Sequence, residues 1–196
     1  MKKFFVLVAL VAFTFSNNFF AQGITSKGVA VGLNMSNVSG KEIKNNSMKL
    51  GFAIGGFLTY SINRQLAIRP EVYYSAKGFE LKWGEATLTV SYNYIDIPIL
   101  GVYSINRNIN VFAGPYVDIY LSGSLSTSVS NETEDIKSDE MTIPGFGLTF
   151  GGEYRLNQFS AGARFNLGLS DIASNTNESE GKYTHSVIQI ILGYYL

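Results

Sequence analysis

The sequence contains no cysteine and a single histidine, His185. Without thiols there is neither a disulfide framework nor a thiolate metal centre, and cysteine therefore says nothing about compartment. Charge is sparse at 15%, against roughly 25% in an average soluble domain. It is also balanced, 15 basic residues against 15 acidic, which gives no basic footprint for nucleic acid. Beyond Ala21 no apolar run approaches the roughly 20 residues that a membrane-spanning helix needs. No repeat with a fixed period of the solenoid or propeller kind is present, and no HExxH, phosphate-loop or EF-hand pattern occurs. What is plentiful is glycine (20 residues) and aromatic side chains (14%). The 196 residues suit one domain, and no cofactor is expected.

The N-terminus supplies a compartment. Lys2 and Lys3 precede the apolar run Phe4 to Phe15, a basic segment and a hydrophobic segment too short for a comfortable membrane helix. A signal peptide over residues 1–21, cut after Ala21, is expected, leaving a mature domain of residues 22–196. That domain holds thirteen basic residues against fifteen acidic ones.

The stretch Gln65 to Phe79, QLAIRPEVYYSAKGF, separates every second residue onto two faces. Leu66, Ile68, Pro70, Val72, Tyr74 and Ala76 form an apolar or amphipathic face. Arg69, Glu71, Tyr73, Ser75 and Lys77 form a polar one. Roughly 9–11 tilted residues carry a strand across a bilayer, and this segment is long enough. The same alternation marks seven further strands: Gly28–Asn37, Met48–Tyr60, Leu88–Tyr103, Ile109–Ser122, Thr142–Arg155, Phe159–Ser170 and Thr184–Leu196. In the Leu88–Tyr103 segment the apolar phase switches between Tyr92 and Ile95, which predicts a β-bulge near Asn93. Polar connections over Val38–Ser47, Lys82–Ala86, Gly123–Met141 and Asp171–Tyr183 alternate with tight turns at Ser61–Arg64, Ser104–Asn108 and Leu156–Gln158. The predicted fold is an all-β, eight-stranded antiparallel up-and-down transmembrane barrel in the outer membrane, with long extracellular loops and short periplasmic turns. The Gly123–Met141 stretch, acidic and rich in Ser and Thr, is expected to be unstructured.

Charges obey the expected phase. A basic residue facing lipid near the bilayer midplane costs about 2–4 kcal/mol. Arg69, Glu71, Lys77, Asp96, Asp118, Glu153, Arg155 and Arg164 all fall on the inward phase, and Lys49 does so at a loop end. Four basic and four acidic groups predict an interior network of ion pairs bridged by Tyr73, Tyr116 and Tyr120, with no open aqueous pore. Asp96 is the nearest candidate partner for the charges of the Gln65–Phe79 strand. Tyr60, Tyr103, Tyr154, Phe159 and Tyr194 lie on the lipid phase near short turns and predict a periplasmic aromatic girdle. Pro70, Pro98 and Pro115, which cannot donate to a ladder, are expected at bulged pairing near the barrel rim. His185 has Ser170 and Ser186 as nearby hydroxyls, but no motif marks a Ser–His nucleophile, and the residue reads as a polar group at the rim. The chain is not expected to be an enzyme.

Several segments resemble a known family. They are Gly32-Leu33-Asn34-Met35-Ser36, Arg69-Pro70-Glu71-Val72-Tyr73-Tyr74-Ser75-Ala76-Lys77-Gly78, Tyr94-Ile95-Asp96-Ile97-Pro98-Ile99-Leu100, Ala113-Gly114-Pro115-Tyr116 and Gly162-Ala163-Arg164-Phe165-Asn166-Leu167-Gly168-Leu169. In these the chain resembles the small outer-membrane β-barrels of Bacteroidota known as the porin family or PorT-like proteins. The resemblance implies an eight-stranded barrel in a Gram-negative outer membrane and supplies no catalytic residues. Such barrels usually end in an aromatic residue read by the assembly machinery; here Leu196 is last, with Tyr194 and Tyr195 just before it. The expected partners are outer-membrane lipid, the barrel assembly machinery and an extracellular partner reached through the long loops. The expected role is structural or loop-mediated, through adhesion or envelope contacts. Passive porin-like transport and a soluble, lipocalin-like ligand-binding barrel are the alternatives.

Overall fold

A computed structural model describes residues 24–39, 46–83, 86–127, 133–136, 144–171 and 184–196. The expected signal peptide lies outside the described residues, as do parts of the expected loops. Within them the regular elements are strands: β1 (Ile24–Ser39), β2 (Asn46–Ser61), β3 (Leu66–Trp83), β4 (Ala86–Ser104), β5 (Ile109–Thr127), β6 (Thr133–Ile136), β7 (Gly145–Leu156), β8 (Phe159–Gly168) and β9 (Thr184–Tyr195). Eight of them form one antiparallel sheet that closes on itself, with β1 joined to β9 from Gly28↔Tyr195 to Ser39↔Thr184. β6 is a four-residue addition outside that ring. Closure removes every free edge from the ring.

The alternation in sequence becomes an inside and an outside. Leu33 is 64% exposed and Leu50 74%, whereas Asn34 and Ala53, on the opposite phase of the same two strands, are buried. Among the described strands, polar and charged groups fill the interior while the outer wall carries Val31, Phe52, Ile54, Phe146, Phe150 and Leu192. A continuous apolar exterior is the reverse of a soluble barrel and needs lipid around it. Tyr60, Tyr103, Tyr154, Phe159 and Tyr194 are all exposed at the short-turn end, and the Phe159 and Tyr194 rings are 5.3 Å apart.

Three details depart from the sequence expectation. The first is the bulge. The register does shift between Asn93 and Tyr94, but the pairs Asn93↔Ser122 and Tyr94↔Tyr120 leave Leu121 of β5 as the extra residue. β4 keeps one phase throughout, and Val90, Tyr92, Tyr94, Asp96, Leu100 and Val102 all lie buried inside. The apolar residues before Asn93 belong to an apolar layer of the interior, which is why their parity resembles a change of face.

The second concerns the loops. The Lys82–Ala86 segment is mostly strand, since the β3–β4 ladder runs to Trp83↔Ala86. The acidic stretch after Gly123 likewise begins as strand: β5 continues to Thr127, and β6 pairs with it from Gly123↔Ile136 to Ser126↔Thr133. β5 leaves β7 at Asp118↔Gly145, so its remaining nine residues to Thr127 run on for about 30 Å of strand length past the top of β7. The barrel therefore carries a tall wall of β3, β4 and β5 on one side.

The third concerns proline. Pro70, Pro98 and Pro115 do not sit at the bulges; the ladders stay in register around them and lose pairs instead. β3–β4 pairing skips from Pro70↔Ile99 to Tyr73↔Asp96, and β4–β5 pairing skips from Pro98↔Tyr116 to Gly101↔Ala113. A missing N–H removes a rung without shifting the rails.

Candidate functional site

The interior is stacked in layers along the barrel axis. Nearest the short turns, Leu100, Val102 and Phe112 form one apolar cluster, and Ala30, Ala53, Phe57, Tyr73 and Tyr195 form another. Arg69 is buried among them, its guanidinium 5.2 Å from the Phe57 ring centroid. It reaches across the barrel to Glu153 of β7, with Nη2 donating to Oε1 at 2.6 Å and Nη1 to Oε2 at 3.1 Å. Two parallel bonds of this kind fix the orientation of both groups. The Tyr195 hydroxyl donates to Glu153 at 3.0 Å and accepts from Arg69 at 3.1 Å. Asn110 donates to the same carboxylate at 3.0 Å.

One layer higher, Arg164 of β8 donates to Glu71 of β3 at 2.5 Å, and its guanidinium carbon lies 4.6 Å from the Tyr73 ring centroid. Nε of Arg164 donates to Gln189, whose amide donates in turn to Asn34 at 2.6 Å. Asn34 donates to Ser75 Oγ at 3.0 Å and to the Ala76 carbonyl at 2.8 Å. Glu71 also lies 4.0 Å from Arg69, which joins the two layers.

Further toward the loops, Lys77 donates to Asp96 at 2.7 Å and lies 3.7 Å from Asp118. Its ammonium is 4.9 Å from the Tyr94 ring centroid and 5.5 Å from that of Tyr116. Above this sits an apolar cap of Val90, Tyr92, Tyr94 and Tyr120, with Phe79, Leu125 and Ile136 packed against it. The Tyr120 hydroxyl donates to the Ile136 carbonyl at 2.6 Å, tying β6 to the cap. His185 is buried in this layer, its ring 5.6 Å from those of both Tyr92 and Tyr94, with Nε2 3.3 Å from the Tyr94 hydroxyl.

Seven of the eight charged positions singled out in the sequence thus come together in ion pairs. Arg155 does not join them: its Nε donates to the Asn157 carbonyl at the turn, and its guanidinium covers the Tyr195 ring at 3.7 Å. Asp96 is the partner of Lys77, not of Arg69. Tyr120 packs in the cap with its hydroxyl on the Ile136 carbonyl, whereas Tyr195, Asn110, Gln189 and Asn34, which carry no charge, connect the charged groups. Their signal was polarity on the inward phase, which is as visible for an amide as for a charge. Lys49 lies on the inward side and donates to Ser91 Oγ at 2.8 Å. His185 bonds to Tyr94, while the Ser170 hydroxyl is engaged with the Phe146 backbone at 3.0 Å.

Two cavities lie beside these layers, and both are small. A cavity beside Arg69, Tyr73 and Arg164 holds about 20 Å³, and one beside Tyr94, Asp118 and His185 about 10 Å³. Each has room for about one water molecule.

A closed eight-stranded antiparallel ring with an apolar exterior, a girdle of aromatics and a polar interior defines a membrane-spanning β-barrel. The chain belongs to the outer membrane protein beta-barrel domain family, whose model matches residues 20–174. Its place is accordingly the outer membrane, and the soluble lipocalin-like alternative falls. Two solved barrels share the fold. Ail, the attachment invasion locus protein of Yersinia pestis, aligns with a TM-score of 0.51 at 12% identity, covering 87% of this chain and 98% of that one. Neisserial surface protein A aligns with a TM-score of 0.51 at 14% identity, covering 86% and 96%. No curated protein matches the chain in sequence.

Proposed function

We propose that this protein is a non-catalytic, non-conducting barrel whose task is to hold its extracellular strands and loops rigidly above the outer membrane for contact with a partner. One observation carries the reading: the interior is filled from the Arg69–Glu153 layer to the tyrosine cap. Removing a fully paired buried charge from such a network is expensive, so opening a solute path would mean breaking several ion pairs at once. The tall β3–β4–β5 wall, with β6 fastened to it through Tyr120, supports the other half of the proposal. It extends the ordered ladder well past the neighbouring strands and gives the segments around 128–132 and 137–143 a fixed base. Ail, by its name an attachment invasion locus protein, shares this fold over 98% of its chain. Membership of the porin-family branch in Bacteroidota and cleavage of a signal peptide after Ala21 fit this reading and are part of the proposal.

Purified protein reconstituted in a planar bilayer tests it. The expected result is a silent membrane under conditions in which the protein shows a folded, heat-modifiable gel mobility. Stepwise conductance would overturn the proposal and favour passive transport of ions or small solutes. Replacing residues 128–143 by a short linker should leave the heat-modifiable mobility intact and abolish binding to a surface that the whole protein adheres to.

A further inference from the structure

The short-turn rim contains the same device twice. Ser61-Ile62-Asn63-Arg64 joins β2 to β3, and Ser104-Ile105-Asn106-Arg107 joins β4 to β5. Their hydrogen bonds correspond one for one. Asn63 Oδ1 accepts from the backbone N–H groups of Gln65 and Leu66, both at 2.8 Å, and Asn106 Oδ1 accepts from those of Asn108 and Ile109, both at 2.9 Å. The Ile62 N–H donates to the Leu66 carbonyl at 2.9 Å, and the Ile105 N–H to that of Ile109 at 2.9 Å. Each asparagine thus closes the turn by replacing a backbone acceptor.

A tight turn needs the asparagine but neither of its neighbours. Ile62 and Ile105 are 58% and 54% exposed, beside the exposed Leu66 and Ile109. Arg64 and Arg107 are also exposed. Both isoleucines lie two residues past a girdle tyrosine, Tyr60 or Tyr103, and so continue the outward phase beyond the girdle. Lys27, exposed on the outer face of β1, and the half-buried Arg155 at the Asn157 turn add further cations at this end. Among the described residues the side-chain carboxylate at this level is Glu153, which points inward and is taken up by Arg69, and the Leu196 N–H donates to the Lys27 carbonyl at 2.9 Å. The surface is therefore apolar where it meets lipid and cationic where it meets water, a pairing that suits a layer of anionic headgroups over acyl chains.

We propose that the short-turn rim binds anionic phospholipid headgroups, with Arg64 and Arg107 contacting phosphate and Ile62, Leu66, Ile105 and Ile109 seated among the adjoining acyl chains. Guanidinium groups match phosphate oxygens with two parallel bonds, and basic side chains next to an anionic membrane surface are attracted within a Debye length. The two turns flank the β3–β4 hairpin, so the barrel would collect such lipids on one side of its circumference.

The test uses the full mature chain, reconstituted in nanodiscs of phosphatidylethanolamine mixed with phosphatidylglycerol, with the lipids retained after detergent extraction read by native mass spectrometry. The wild type should retain phosphatidylglycerol several-fold above its share of the mixture. The double variant Arg64→Gln/Arg107→Gln should fall to that share while keeping its heat-modifiable mobility. Ile62→Ser/Ile105→Ser should lower retention of both lipids. No preference in the wild type, or an unchanged preference in the arginine variant, would overturn the proposal, the second result pointing to another surface. Loss of heat-modifiable folding in the wild type would instead count against the membrane-spanning reading itself.

Discussion

Asp96 and Asp118 face one another across the β4–β5 ladder and share the single ammonium of Lys77, at 2.7 Å and 3.7 Å. Two carboxylates around one cation form an unevenly balanced group. The lower layers, by contrast, set Arg69 and Arg164 against Glu71 and Glu153. Removing the cation should therefore cost more than removing one of the acids. Lys77→Met is expected to destabilise the folded barrel by about 3–5 kcal/mol, the range for an uncompensated buried charge, and Asp118→Asn by much less. Urea titration in lipid vesicles, followed by the fluorescence of the single tryptophan, Trp83, would measure both. Equal losses would mean that the ammonium is not the centre of the group.

Arg69 and Glu153 are paired across the barrel, 84 residues apart in sequence. Arg69→Ala should lower the unfolding temperature because it strands Glu153, not Asp96. In a double-mutant cycle, Arg69→Met with Glu153→Leu should recover part of what either single change loses, with a coupling of about 0.5–3 kcal/mol. The corresponding cycle with Asp96 should show coupling near zero.

Gly55 is a point of close approach. A Cβ there would run into the Val72 carbonyl oxygen and would come within 2.6 Å of the Tyr73 ring and 2.8 Å of its Cα. Backbone cannot yield cheaply, so Gly55→Ala should destabilise the barrel by about 1–3 kcal/mol. Gly101→Ala, where the nearest atom is the Ala113 carbonyl oxygen at 3.6 Å, should be close to neutral in the same urea titration.

Asn63→Ala and Asn106→Ala each remove one acceptor serving two backbone donors. Both should cost about 1 kcal/mol, and the double variant about the sum, since the two turns share no partner. A marked excess in the double variant would show that the turns act together.

Much of this architecture was legible in the sequence. The number of barrel strands, the outward phase and the tyrosine girdle follow from a period of two that strands impose regardless of tertiary context. The partner of Arg69 was not legible, because pairing across a closed ring depends on which strands face each other over the axis, and alternation carries no such information. The apparent phase switch at Tyr92 has a related cause: an apolar side chain is as suitable for a capped interior as for lipid, and only the packing of Tyr94, Tyr120 and His185 around Val90 and Tyr92 decides. Arg155 has the right phase and the wrong height, since phase says nothing about distance from the rim. The asparagines of the two tight turns were hidden in plain polar sequence until their shared bonding gave them a common role.

The seam between β1 and β9 has a consequence for how the molecule comes into being. Asn34 receives its bond from Gln189, 155 residues later, and every rung of that seam spans a comparable interval. Contacts so remote along the chain are the slowest to form. The ring can therefore be sealed only once β9 has been made, and until then the first strand offers an open ladder to any other strand it meets. Shielding the bare edge of β1 until Thr184–Tyr195 arrives is thus as much a requirement of this fold as filling its interior.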